Sequence, residues 1–384
     1  MKRGARHAVA AGTVFDGTAL YRDHAVIIDG GRIGAVVPTR ELPRGLPVRD
    51  LSEDTWLAPG FIDVQVNGGG DVLFNDTPTV EGIAAIAAAH RRFGTTALLP
   101  TLISDTADNM RAAGAAVEAA VASLPGILGI HFEGPFLSPE RAGVHDQAMI
   151  RPPVSQDLEF LTAPYAGVRL VTLAPERMPQ GFIAALADAG IRVALGHSMA
   201  TYAETRAALT EGLTGFTHLF NAMRPLASRE PGPIAAALET PGAFYGLIVD
   251  GEHVAPPMLR LALRGLGQAM LVTDAMPPVG GIRAEFRLGG QRITARDGRY
   301  VTEDGTLAGT ALNMASAVRN CLTLLDLPLP DALRLASAAP AAFLGIADRL
   351  GHLRPGYRAD IVAFDPAGMR ILATWVAGEE NRPG

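Results

Sequence analysis

Four polar residues stand where short apolar runs end. RVALGHS supplies His197, and after one helical stretch GFTHLFNAM carries His218. GILGIHFEGP supplies Glu133 and AMLVTDAM supplies Asp274. Each run is β-branched and apolar up to its polar residue, the pattern of a buried strand that delivers one functional side chain at its C-terminal end. Two imidazoles and a carboxylate form a catalytic zinc-type ligand set that leaves a coordination position open. A lone strand-end histidine is more often a hydrogen-bonded structural residue; two on adjacent strands, with a carboxylate on a third, reverse that balance. Asp274 has another task open to it, since a carboxylate beside a cation-acidified water can take its proton. A helix N-cap or a salt bridge is the alternative reading of Asp274.

Composition narrows the class. The chain has 384 residues, 48% hydrophobic and 19% charged, room for a large α/β domain and a smaller one. Its net charge of −6 argues against a nucleic-acid surface, so an anionic ligand must meet a local cluster of positive groups. No secretory segment and no apolar run of ~18 residues is found, so a cytoplasmic protein with no membrane partner is expected. Cys321 is the single cysteine, which excludes an intrachain disulfide, and its helical context reads as a small buried hydrophobe. Lys2 is the single lysine. A P-loop lysine, a Schiff-base lysine and a carboxylated lysine bridging two metals are therefore excluded, and arginine must carry all cationic recognition.

The elements that position these residues follow from chain order. Residues 7–57 read as short strands with a hairpin signal at Asp29-Gly30-Gly31. From Pro59 onward strands alternate with Ala-rich amphipathic stretches, and strand texture falls at 61–67, 95–101, 126–133, 168–176, 192–198, 215–221, 244–251 and 269–275. Eight parallel strands alternating with helices are the arithmetic of an α/β (β/α)8 TIM-like barrel, which gathers strand C-termini on one face. Residues 285–310 read as a β-hairpin insertion, followed by helices to about 346 and a return to strands. The expectation is a barrel over 59–346 and a small β-sandwich-like domain formed by 1–58 and 347–384.

Other polar residues take lesser readings. NGGGD at 67–71 lacks the spacing of either nucleotide motif and reads as a flexible loop at the barrel mouth. Histidines 7, 24, 90 and 352 read as surface or hydrogen-bond-satisfied residues. His131 shares the parity of Glu133 and is expected one layer deeper, as a partner supporting the metal ligands.

The motifs PGFIDVQVNGGG, HFEGPF, GHS, THLFNAM, REPG, DGEHV and LVTDA, in this order between Pro59 and about Gly309, resemble those of the N-acetylglucosamine-6-phosphate deacetylase family of the amidohydrolase superfamily. The resemblance implies a hydrolase that converts N-acetyl-D-glucosamine 6-phosphate to D-glucosamine 6-phosphate and acetate. It implies one divalent metal ion per subunit, zinc first with iron, cobalt or manganese as alternatives, held by Glu133, His197 and His218. Asp274 is then the acid/base, and His145 polarises the acetamide carbonyl. Val144, His145, Asn221, Ala222, Arg229, His253, Leu307, Ala308 and Gly309 are implied substrate contacts, with Arg229 pairing with the phosphate across a homodimer or higher-oligomer interface. Many superfamily members carry H-x-H at the end of the first strand, where this chain has Gln65 and Asn67. Amides bind zinc-type ions poorly, so a single metal is expected. The rival readings are the same reaction on N-acetylgalactosamine 6-phosphate, a catalytically inactive sugar-phosphate-binding barrel, and a cyclic-amide hydrolase, which lacks its binuclear ligand set here.

Overall fold

The computed structural model describes residues 5–296 and 299–382; Lys2, and with it the extreme ends of the expected terminal unit, lies outside the described residues. The barrel strands are β1 (Phe61–Val66), β2 (Thr95–Ile103), β3 (Gly129–Glu133), β4 (Val168–Leu173), β5 (Arg192–Leu195), β6 (Gly215–Phe216), β7 (Phe244–Leu247) and β8 (Gln268–Leu271). Neighbours pair in parallel in chain order. Closure between β8 and β1 runs through a Val66–Ala275 bridge, an Asp274 N–H bond to the Gln65 carbonyl at 3.0 Å, and a 2.5 Å bond from the Thr273 hydroxyl to Asp63. β1, β2 and β3 are buried along their whole length, as barrel strands covered inside and outside must be.

Eight helices cover the barrel, one after each strand, beginning with Val80–Arg91 and Ala107–Ser123 and ending with Met314–Leu325. Side chains of Thr79, Thr106, Thr201 and Asn313 accept the main-chain N–H three residues on, which fixes where helices start on leaving the functional face. Two of the ring, Ser155–Thr162 and Gly232–Glu239, escape sequence reading: the first is largely polar, and the second opens on Gly-Pro, a turn signal.

Both chain ends share one sheet: Ile361–Asp365 lies antiparallel to Trp56–Pro59, which runs beside His7–Phe15. Gly30 and Gly31, with φ of 55° and 78°, make the two-residue turn that pairs Asp29 with Arg32. The insertion after β8 forms three strands, Glu285–Leu288, Gln291–Arg296 and Arg299–Val301. Its Leu288 and Ile293 pack on Leu73, Ile103, Met276 and Ala308. Among the described residues no helix is long and apolar enough to cross a membrane.

His90 ties the NGGGD loop to the first covering helix. Its Nε2 bonds the Gly68 carbonyl at 2.9 Å, and the ring packs so closely on Gly69 that a Cβ there would stand 2.9 Å from it. Burial pushes its pKa down to about 4. A folded-state pKa below the unfolded value of a base means that the unfolded chain binds more protons at moderate acidity. Stability is therefore lost as pH falls from 6.5 toward 4, by up to about 3 kcal/mol from this residue. His90→Gln, which keeps one donor without the titration, should flatten the decline of Tm between pH 7 and pH 4.5. An unchanged slope would show that other groups govern acid sensitivity.

Candidate metal centre and cavity

Sequence reading places the functional residues on the strands themselves; the structure places three of them beyond. β5 stops at Leu195, β6 at Phe216 and β8 at Leu271, so His197, His218 and Asp274 lie two or three residues beyond the ends of their strands. All three adopt left-handed backbone, with φ of 49°, 32° and 51°. For non-glycine residues this costs on the order of 1 kcal/mol or more each and persists only where neighbours enforce it. The neighbours here are hydrogen bonds: Ser138 N–H to the His197 carbonyl, Asn221 N–H to that of His218, and Thr310 N–H to that of Asp274, at 2.9, 3.0 and 3.0 Å. A left-handed turn at the moment of leaving the sheet releases each side chain from in-and-out strand alternation and lets it face the barrel axis.

Glu133, His197 and His218 converge. His197 Nε2 and His218 Nε2 lie 3.1 and 3.0 Å from Glu133 Oε1 and 3.1 Å from each other, all buried. A tetrahedral ion with ~2.0–2.1 Å bonds spaces its ligands about 3.3 Å apart, so the triangle needs only slight expansion to hold one. The protons make the same point. His197 Nδ1 donates to the Arg141 carbonyl at 2.7 Å, so the neutral ring presents a bare lone pair at Nε2. Nε2 faces a carboxylate oxygen at 3.1 Å, a contact that needs positive charge, either a second ring proton or a cation between the two atoms. Burial alone would raise the Glu133 carboxyl, but hydrogen bonds from the two histidines outweigh it and hold it well below the usual range. Burial would likewise lower His218, but Glu133 reverses this and raises it. The pocket thus favours positive charge at its centre, and the donor set fits a divalent ion. Among the described residues this is the one three-residue group of metal-ligating type.

Gln65 and Asn67 occupy the first-strand positions as donors. Gln65 Nε2 bonds Glu133 Oε2 and Asp274 Oδ1, both at 3.1 Å, and Asn67 Nδ2 bonds the same Asp274 oxygen at 2.7 Å. Amide N–H groups fill the place where a second ion would need lone pairs. They also tie down one oxygen of Asp274 and leave Oδ2 to the cavity. Burial first, then the Glu133 charge, push Asp274 up to about 6.

The cavity measures about 320 Å³ and takes in Asn67, Glu133, Val144, His145, His197, His218, Asn221, Ala222, His253, Asp274, Leu307 and Gly309. His145 stacks edge-on against His197 at 4.4 Å between ring centroids, and burial, then His197, push its pKa down to about 3, so it stands neutral. His253 Nδ1 is anchored on Asp250 at 2.6 Å, leaving Nε2 to the cavity.

Two expected contacts lie elsewhere. Ala308 is fully buried in the apolar cluster under the insertion, where its side chain packs with Met276 and Leu288 rather than lining the cavity. Arg229 sits in the exposed stretch 225–229 and is not among the cavity residues, while its neighbour Glu230 braces the loop by accepting the Tyr202 N–H at 2.8 Å. His131 does lie deeper in the barrel, but it bonds Thr101 and Thr172 at 3.2 and 2.7 Å rather than any metal-set residue.

Sequence reading missed Arg141, whose carbonyl orients His197 and which is one of the cavity residues. The available signal was an arginine four residues before His145 in a chain whose single lysine is at its start.

Residues 56–383 match the Amidohydrolase family, and residues 7–53 match the NagA composite domain. The chain is 43% identical over 326 residues to an N-acetylgalactosamine-6-phosphate deacetylase from a Shewanella strain, covering 84% of this chain and 82% of that one. It is 35% identical over 363 residues to the N-acetylglucosamine-6-phosphate deacetylase of Haemophilus influenzae, covering 93% and 94%. The crystal structure of N-acetylglucosamine-6-phosphate deacetylase from Pasteurella multocida superimposes with a TM-score of 0.95 at 33% identity, covering 98% of this chain and all of that one.

Proposed function

The chain belongs to the amidohydrolase family, and from that premise we propose a reading of its cavity: the enzyme hydrolyses the acetamide of N-acetyl-D-glucosamine 6-phosphate to D-glucosamine 6-phosphate and acetate. The observation that carries it is the buried Glu133–His197–His218 triangle with Asp274 on one side and His145 on the other. Glu133, His197 and His218 would hold a divalent ion, for which zinc is our choice, and it would supply Lewis acidity to the hydrolysis. The remaining steps belong to the chain's own residues. Asp274 Oδ2 takes the proton of the attacking water, and His145 donates to the oxygen as it gains charge. Asp274 then returns the proton to the nitrogen as the C–N bond breaks, so amine and acetate leave together with all atoms accounted for.

Phosphate binding falls to other residues of the cavity. Asn221, the Ala222 main chain and His253 face the cavity, and Arg141 adds a guanidinium from the same subunit. Arg229 reaches the phosphate from the second subunit of a homodimer, in keeping with its exposed loop. Arg229→Ala should raise KM for the phosphorylated sugar by about 30-fold, about 2 kcal/mol for one charge-assisted guanidinium–phosphate contact. An unchanged KM with undiminished preference for the phosphorylated sugar would remove Arg229 from the site.

The galacto epimer is the second reading, favoured by the 43% identity to an enzyme of that name. Acetate release measured with both N-acetylhexosamine 6-phosphates decides between them. No release from either, by zinc-loaded protein, would refute the deacetylase assignment. Our reading places the enzyme in the cytoplasm.

A further inference from the structure

We propose that Ser104 is a positioning residue for this hydrolysis: its main-chain N–H and its hydroxyl hold the His145 ring as the tautomer protonated on Nε2, aiming that proton at the acyl oxygen of the bound amide. The inference rests on the deacetylase reading for its chemistry, but the tautomer follows from geometry alone.

Ser104 comes immediately after β2 and is buried. Its N–H lies 3.2 Å from His145 Nδ1, and its Oγ lies 2.8 Å from the same atom. A hydroxyl serves as donor or acceptor, so Oγ by itself leaves the ring free to carry its proton on either nitrogen. A main-chain N–H can only donate. A proton on Nδ1 would set two donors head to head, so Nδ1 keeps its lone pair and the neutral ring must protonate Nε2. Nε2 has no protein partner among the described residues, and His145 lines the cavity beside the metal set.

Two further features clamp the arrangement. The His145 and His197 rings meet at 60°, which fixes the imidazole plane from its other side. Gly134, next to Glu133, has φ of 86°, and a Cβ there would stand 2.4 Å from Ser104 Oγ. The turn that follows Glu133 is thus bare of side chain where the serine hydroxyl passes. A donor whose proton is placed before substrate arrives needs no reorganisation as negative charge develops on the oxygen, the condition under which such a contact accelerates the step.

The tautomer is read directly from histidine-labelled protein by ¹⁵N NMR, with His145→Gln identifying the resonance, in metal-free and zinc-loaded samples. The expected result is an unprotonated Nδ1 and a protonated Nε2 on His145; the reverse pattern overturns the proposal. Ser104→Ala removes the hydroxyl and keeps the N–H, so kcat should fall about 10-fold with KM within twofold and metal content unchanged. Ser104→Thr, which restores a hydroxyl, should recover most of the loss. Wild-type kcat in Ser104→Ala, or a loss that appears in KM alone, overturns the positioning role. Should the wild type release no acetate from either epimer, the deacetylase reading fails, while the NMR result still decides the tautomer.

Discussion

Asp274→Asn should retain metal and bind the acetylated sugar phosphate, while kcat falls by on the order of 10²-fold or more, the scale of losing a positioned proton-transfer group. The surroundings of Asp274 make this substitution unusually clean. Gln65 and Asn67 both donate to Oδ1, so the new amide must turn its oxygen toward them. Its NH₂ then occupies the position of Oδ2, the atom left to the cavity. Shape and hydrogen bonds survive, and the proton acceptor is replaced by a donor. A pulldown in metal content would instead make Asp274 an essential ligand. Near-normal turnover with metal in place would refute the mechanism and pass the role of base to another group. Isothermal titration with substrate beside a steady-state assay separates these outcomes.

The convergence of Glu133, His197 and His218 was legible in the sequence for a physical reason. Barrel strands are buried on both faces, so two histidines and a carboxylate that each close an apolar run are gathered at the mouth of the barrel, where together they outweigh the structural role a lone histidine would have. Glu133 ends β3 as its run predicts. The left-handed backbone at His197, His218 and Asp274 was not legible, because no glycine or asparagine marks it; tertiary hydrogen bonds impose a conformation that local preference resists. Contacts made by main-chain atoms were hidden for the same reason. Arg141 orients His197 through its carbonyl and Ser104 holds His145 partly through its N–H, and side-chain identity does not encode either bond. Ala308 illustrates the converse. The family resemblance implies a contact from its segment, and in the structure Leu307 and Gly309 line the cavity while Ala308 packs in the apolar layer beneath the insertion. The helix Gly232–Glu239 was lost to its Gly-Pro opening, although proline is welcome in a first helical turn, where its missing N–H has no intrahelical partner to lose.

His197→Ala and His218→Ala should each abolish metal binding and activity together, because each removes one of the three proposed ligands from a set that has no spare donor. Replacing a residue that merely orients a ligand costs 10- to 100-fold in affinity or activity, so removing the ligand itself should exceed about 100-fold. Neighbouring groups cannot compensate. The nearest amides, Gln65 and Asn67, present N–H groups already committed to carboxylates, and His145 presents its bare nitrogen to Ser104 rather than to the centre. The two variants should differ in what they leave behind. In His197→Ala the Arg141 carbonyl loses its partner, whereas His218 Nδ1 has no hydrogen bond to lose, so His197→Ala should disturb the 134–145 loop more. Metal analysis after gel filtration should find about one ion per wild-type chain and almost none in either variant. Chelation of the wild type should lower its Tm, since an ion that binds the folded state alone stabilises it by mass action, and neither variant should respond to chelator. Full occupancy in both variants would place the ion elsewhere, and with it the chemistry assigned to this triangle.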